Sequence, residues 1–343
     1  MVNWEPPTHW GRVRTIDAHA AGEPLRVICS GFPLPAGATI LERREAARRH
    51  YDHLRRSLMW EPRGHADMYG CLLTPPATDD GDLGVLFLHN EGYSTMCGHG
   101  IIGLVTVGLE CGLFAMPSGR REIRIDAPAG RIVATPHWQD GRVAAVSFLN
   151  VPSFVLMQDL DVAVPGLGDI RCDVAFGGAF YALVDVAQTG LALEPQNSDA
   201  LIAAGRAIKR AIMATQRIEH PAGDPDLNFL YGTIFSELRP PGSEVHSRNA
   251  CVFAEGELDR SPTGTGVSSR AALYHARGEL AAGETLQIES LIGTRFSVRI
   301  VASTQVGALP AVIPEVRGSA SITGMHDFLI DPADPLREGF LLR

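Results

Sequence analysis

No stretch of this chain is long enough and apolar enough to span a bilayer. The leading segment, Met1 to Arg14, holds no apolar core of the kind a secretory leader needs. Positive charge is in deficit: 30 Lys and Arg stand against 39 Asp and Glu, a formal net charge of -9. That balance argues against nucleic acid and against an anionic membrane surface as partners. The six cysteines fall at irregular spacing in 343 residues and make no disulfide framework. A reduced, cytoplasmic setting is therefore expected. No Lys follows a glycine-rich turn as a phosphate-binding loop requires, and no Cys and His spacing fits a zinc site.

What remains is a chain of 36.9 kDa with 45% hydrophobic and 20% charged residues, ordinary for a globular protein with a large core. Two domains are the natural expectation at this length. With 36 Gly and 23 Pro, turns are frequent and strands short.

The chain is organised around Thr95-Met96-Cys97-Gly98-His99-Gly100. An apolar run, Val85 to Asn90, precedes it and reads as a buried strand. After it, Ile101, Ile102, Leu104, Val105, Leu109 and Leu113 recur at helical spacing, and Gly112 reads as the stop. Cys97 thus stands where a strand hands over to a helix. Unpaired N–H groups and the helix dipole favour a thiolate there. The glycines beside His99 let the backbone approach a ligand. The other cysteines, Cys29, Cys71, Cys111, Cys172 and Cys251, read as small buried hydrophobes.

Along the chain, Arg12 to Ser30 reads as two strands about a turn at Gly22-Glu23-Pro24, where His19 and Glu23 are within reach of a ligand. Thr39 to about Leu58 reads as one helix with a solvated Arg face. Strands are expected at Cys71–Leu73, Gly84–Leu88, Glu122–Ile132 with a turn at Ala129-Gly130, Arg142–Phe148 and Ser153–Leu156. In the second half they are expected at Val174–Val186, Asn228–Phe235 and Ala250–Ala254. Asn197-Ser198-Asp199 reads as the cap of a helix to about Gln216, and Val267–Arg277 as a further helix. The two halves match in plan. Cys97-Gly98-His99-Gly100 corresponds to Thr263-Gly264-Thr265-Gly266, and Gly112 and Gly278 follow at the same distance. An internal duplication is implied, with two helix N-termini facing one cleft.

Such a cleft is an anion site with donors from both sides. Gly98, His99, Gly264 and Thr265 would offer N–H groups to a small carboxylate. Cys97 could then withdraw the α-proton of an amino acid, with Asp259 and His99 as partners for the amine. A binding protein that uses the same helix ends is the reading from another class, but binding alone has no need of a thiol. A metal site built from Cys97, His99, His65 and Cys71 finds no support in their spacing.

The stretches TMCGHGIIG and DRSPTGTG, with RGHADMYG upstream, resemble the proline racemase family. The likeness runs from Asp17-Ala18-His19 to Ile322-Thr323-Gly324. It implies an α+β fold of the diaminopimelate epimerase type: two pseudo-symmetric domains, each a mostly antiparallel sheet around a central helix, with the site between them. The divisions expected are 1–158 joined by 325–343, carrying Cys97, and 159–324, carrying Thr263. Racemases and epimerases of the family carry a second Cys where this chain has Thr263. That departure resembles the trans-3-hydroxy-L-proline dehydratase branch, whose scheme needs no cofactor and no metal. The implied partner is a small imino acid, and a homodimer is compatible with the resemblance. With one thiol only one face of the α-carbon is served, so loss of a β-hydroxyl relieves the carbanion. His99, Thr263 and water are all open as the acid for that hydroxyl. Racemisation or epimerisation of proline or hydroxyproline is the rival activity.

Overall fold

The computed structural model describes residues 4–221 and 225–342. The chain begins with a hairpin, β1 (Gly11–Ala20) and β2 (Glu23–Ser30). Two short helices follow, α1 (Ile40–His50) and α2 (Asp52–Met59). The single helix expected over this stretch is broken at Tyr51, whose φ of -127° and ψ of 11° leave the helical region. Thr39 caps α1 with Glu42 in a reciprocal capping box. Next come β3 (Tyr69–Thr74), β4 (Leu83–His89), the short β5 (Tyr93–Ser94) and α3 (Gly98–Glu110). The first half continues through β6 (Ile123–Ala127), β7 (Gly130–Gln139) and β8 (Arg142–Leu149).

The second half contains β9 (Ser153–Val164), β10 (Gly168–Phe176), β11 (Phe180–Asp185), α4 (Ser198–Thr215), β12 (Leu230–Leu238) and β13 (Ser247–Phe253). After β14 (Glu257–Leu258) come α5 (Gly264–Ala276), β15 (Thr285–Glu289), β16 (Arg295–Val306), β17 (Leu309–Gly318) and β18 (Ala320–Ile330). Asn197 stands at the start of α4 but makes no side-chain cap. Its amide instead donates to the Ala192 carbonyl at 3.0 Å.

The duplication is exact in strand pairing. In the first half β2 and β3 run parallel, β3 and β4 antiparallel, β4 and β6 parallel, and β6, β7 and β8 antiparallel in turn. In the second, β11–β12, β12–β13, β13–β15 and β15–β16–β17 repeat those relationships in the same order. The closing strand of each half comes from the other end of the chain's path. β9, which follows β8, pairs with β10, and β18, which follows β17, pairs with β1. The divisions expected after residues 158 and 324 therefore fall inside strands. Both strands are bonded along their length to one half, so the crossing points lie before Ser153 and at Ser319. β17 bonds to both β9 and β8 and joins the halves.

Each central helix is enclosed. Residues Gly98 to Gly108 of α3 and Gly264 to Leu273 of α5 are all buried, as a helix surrounded by sheet must be. β4 is buried at every position. It packs Val85 and Phe87 toward the main core and Leu86 and Leu88 toward α1 and α2, so its sequence is a continuous apolar run and not an alternating one. This arrangement brings the first turns of α3 and α5 together at the centre of the molecule.

Candidate active site

The two helix ends meet through glycine. A Cβ added to Gly98 would lie 2.5 Å from the Gly264 Cα, and one added to Gly264 would lie 2.6 Å from the Gly98 Cα. Only residues without a side chain permit that approach. Beside this contact lies a small cavity lined by Cys97, Gly98, His99, Asp259, Thr263, Gly264 and Thr265, together with Tyr69, Met96, Tyr181, Tyr231 and Phe253. Its free volume is about 20 Å³, room for roughly one water. All seven residues singled out from the sequence line the one space. Cys71, by contrast, lies in the hydrophobic core. Among the described residues no three His, Cys, Asp or Glu side chains are grouped to hold a metal.

Cys97 is the N-cap of α3, with extended backbone (φ -145°, ψ 110°), and its Sγ accepts the Gly100 N–H at 3.2 Å. The His99 Nδ1 lies 3.2 Å from the same sulfur. The expectation of an easily ionised thiol does not hold in this closed arrangement. Burial pushes the Cys97 thiol well up, more than the Gly100 N–H and the Tyr69 phenol bring it down, and the carboxylates of Asp259 and Glu23 add to the rise. Removing a thiolate from water costs more than one amide donor returns. Burial also pushes the His99 imidazole down, against the pull of Asp259 and the Pro24 backbone, so the ring is neutral.

On the other side, Thr263 precedes α5 with φ +66° and ψ 98° and gives no side-chain cap. A β-branched residue at positive φ is strained, and its surroundings hold it there. Its N–H donates to Ser261 Oγ at 3.1 Å, its carbonyl accepts the Val267 N–H at 2.8 Å, and its hydroxyl donates to Asp259 Oδ2 at 2.8 Å. Asp259 Oδ1 accepts the Ser261 N–H at 2.7 Å. The sequence offered no group to act on the Thr263 hydroxyl; the fold supplies Asp259. Thr265 Oγ1 is bonded to the Tyr181 hydroxyl at 2.7 Å.

Of the turn residues considered near the start of the chain, His19 accepts the Gly22 N–H at 3.1 Å within its own turn. Glu23 is fully buried and its Oε2 accepts the Arg260 N–H at 2.7 Å. Burial and Asp259 push its carboxyl well up. Arg260 also bonds Asp67 Oδ2 at 2.8 Å, so the two halves are bridged beside the cavity. Among the remaining cysteines Cys71, Cys172 and Cys251 are buried, Cys29 is half-buried, and Cys111 is exposed, contrary to the expectation for it.

The aromatic wall was not legible. Tyr69, at the start of β3, and Tyr231, near the start of the matching strand β12, approach the cavity from opposite halves. An aromatic residue in a strand reads as core, and only the duplication, applied strand by strand, would have paired them.

The model of the proline racemase family covers residues 15–341, and the chain belongs to that family. The fold is accordingly of the diaminopimelate epimerase type. A protein of Colwellia psychrerythraea named trans-3-hydroxy-L-proline dehydratase is 46% identical over 99% of this chain and 96% of its own length. A protein of Burkholderia multivorans named 3-hydroxyproline 2-epimerase is 46% identical over 96% of this chain and 98% of its own. The crystal structure of a hydroxyproline epimerase from Agrobacterium vitis, with bound trans-4-hydroxy-L-proline, superposes with a TM-score of 0.91 at 32% identity, covering 98% of this chain and 96% of that one.

Proposed function

We propose that this protein is a hydro-lyase that dehydrates trans-3-hydroxy-L-proline to Δ1-pyrroline-2-carboxylate. The observation that carries the reading is the unlike pair in one cavity, Cys97 from one half and Thr263 from the other. Strands β1–β8 with β18 form one lobe of the cleft and β9–β17 the other. The N–H groups of Gly98, His99, Gly264 and Thr265, at two helix N-termini, hold the substrate carboxylate. Asp259 takes the protonated ring amine.

That amine carries the positive charge the site lacks. With it bound, Cys97 ionises more readily than in the free enzyme, and the thiolate removes the α-proton. The electron pair left on Cα forms the Cα–Cβ double bond as the Cβ–O bond breaks and the hydroxyl departs as water. The enamine then rearranges to the cyclic imine. Thr263 cannot deliver a proton to the far face while its own is held by Asp259, so the carbanion is not returned inverted. The names of relatives such as that of Colwellia psychrerythraea support this reading.

Epimerisation is the second reading, favoured by the name of the Burkholderia multivorans relative at equal identity. Incubation with trans-3-hydroxy-L-proline, trans-4-hydroxy-L-proline and L-proline separates the two. Cyclic imine from the first substrate alone is expected, and optical inversion without imine overturns the dehydratase assignment.

A further inference from the structure

The departing hydroxyl needs a proton, and the two side chains open for that task from the sequence, Thr263 and His99, are committed elsewhere. The Thr263 hydroxyl donates its hydrogen bond to Asp259 Oδ2. The neutral His99 ring is turned to the Cys97 sulfur and bonds the Pro24 backbone. Three tyrosines also line the cavity. The Tyr69 hydroxyl is bonded to Ser94 Oγ and the Tyr181 hydroxyl to Thr265 Oγ1. The Tyr231 hydroxyl is buried, on a residue only 7% exposed; it lies near the Tyr69 hydroxyl but makes no hydrogen bond of good geometry.

The duplication explains why it is free. Tyr69 and Tyr231 sit at the starts of the matching strands β3 and β12. Ser94, the partner of Tyr69, is the second residue of β5, opposite Phe87 of β4. The second residue of the matching β14 is Leu258, opposite Val252 of β13. A hydroxyl on one side is replaced by an isobutyl group on the other, and Tyr231 keeps its donor. Glu257, the residue before Leu258, is buried with neither carboxylate oxygen hydrogen-bonded. It faces His89 Nδ1 at 3.5 Å, and the His89 ring lies 6.1 Å from that of Tyr231.

We infer that Tyr231 is the acid that protonates the departing 3-hydroxyl. This rests on the dehydratase reading. In the step, the α-proton passes to the Cys97 sulfur, the Cα–H electron pair becomes the double bond, the Cβ–O bond breaks, and the phenol proton completes the water. When the product leaves, the tyrosinate takes a proton from solvent and Cys97 returns its proton to solvent, so no net proton is gained or lost. The conjugate acid of the leaving group is water, a weaker acid than a phenol, so the transfer runs downhill. Burial and the nearby Glu257 push the phenol well up, which keeps it in the donor form throughout the pH range of catalysis.

Tyr231→Phe removes the donor and keeps the ring. Dehydration of trans-3-hydroxy-L-proline is expected to fall on the order of 100-fold or more. Exchange of the substrate α-hydrogen for deuterium in heavy water should persist, because Cys97 still works. Elimination of fluoride from trans-3-fluoro-L-proline, a leaving group that needs no proton, should stay near the wild-type rate. Undiminished dehydration by the variant overturns the role, as does an equal loss of exchange, fluoride release and dehydration, which marks a merely structural residue. A wild-type enzyme that leaves the 3-hydroxyl in place overturns the dehydratase reading itself and this role with it.

Discussion

Thr263 donates its hydroxyl proton to Asp259 at 2.8 Å, and that bond fixes the character of one wall of the cavity. The threonine is held at positive φ with its proton turned to Asp259, while the same carboxylate takes the Ser261 N–H. One carboxylate therefore holds both the Thr263 hydroxyl and the Ser261 N–H.

Cys97→Ser should abolish dehydration and α-hydrogen exchange together, since a serine hydroxyl is a far weaker acid than a thiol and, even beside His99, forms no persistent anion to take the α-proton. Product formation and deuterium uptake are the two measurements. Retention of either at the wild-type rate removes Cys97 from the proton step.

The pH dependence follows from the same thiol. Its deprotonated form is the active one, and its ionisation is pushed up in the free protein. The rising limb of kcat/KM should therefore lie alkaline of an ordinary thiol, with activity gained as pH rises through it. The limb of kcat should lie at lower pH, because the bound ammonium favours the thiolate. Coincident limbs, or a limb of falling activity in that range, would contradict the assignment.

Thr263→Cys should introduce epimerisation of hydroxyproline or proline, because a thiol on the second face can exchange protons where an alcohol tied to Asp259 cannot. Polarimetry on the folded variant reads the gain. No inversion and no deuterium exchange with inversion would sink the two-face argument.

Asp259→Asn keeps an acceptor for the Ser261 N–H and removes the charge. KM for the imino acid should rise at least tenfold, about 1.4 kcal/mol of lost binding, with a smaller change in kcat. An unchanged KM would refute the contact with the amine.

Gly98→Ala places a Cβ against the backbone of Gly264 at 2.5 Å, where no side chain can swing aside. The helix ends must separate, at a cost of about 1–3 kcal/mol. Thermal unfolding should begin at lower temperature, and turnover should fall more than stability, because the anion site spans both helix ends. Wild-type activity in this variant would show that the two ends work apart.

The placement of Cys97, Gly98, His99, Gly264 and Thr265 at two helix starts was legible because it is local: a strand, a glycine frame and a helix start lie within a few residues. The bond from Asp259 to Thr263 was not. It depends on the chain turning back through Pro262 into a strained threonine, and no spacing rule announces that. Tyr231 was hidden for a different reason, since whether a strand aromatic packs or donates depends on a partner in another strand. The break at Tyr51 escaped because the residues on both sides carry helical pattern, and the ends of β9 and β18 escaped because pairing across the lobes, not composition, sets their length. The thiol's raised ionisation was misjudged for want of burial, which outweighs the helix start once the cleft is shut.

The exchange of β9 and β18 between the lobes has a further consequence. A gene cut between the two repeats would deliver each fragment without the strand that completes its sheet, leaving β1 and β10 with bare edges ready to pair with other chains. The present molecule holds both exchanged strands within one polypeptide. Its two lobes are thus inseparable both in folding and in the cavity they share, which takes Cys97 from one and Thr263 from the other.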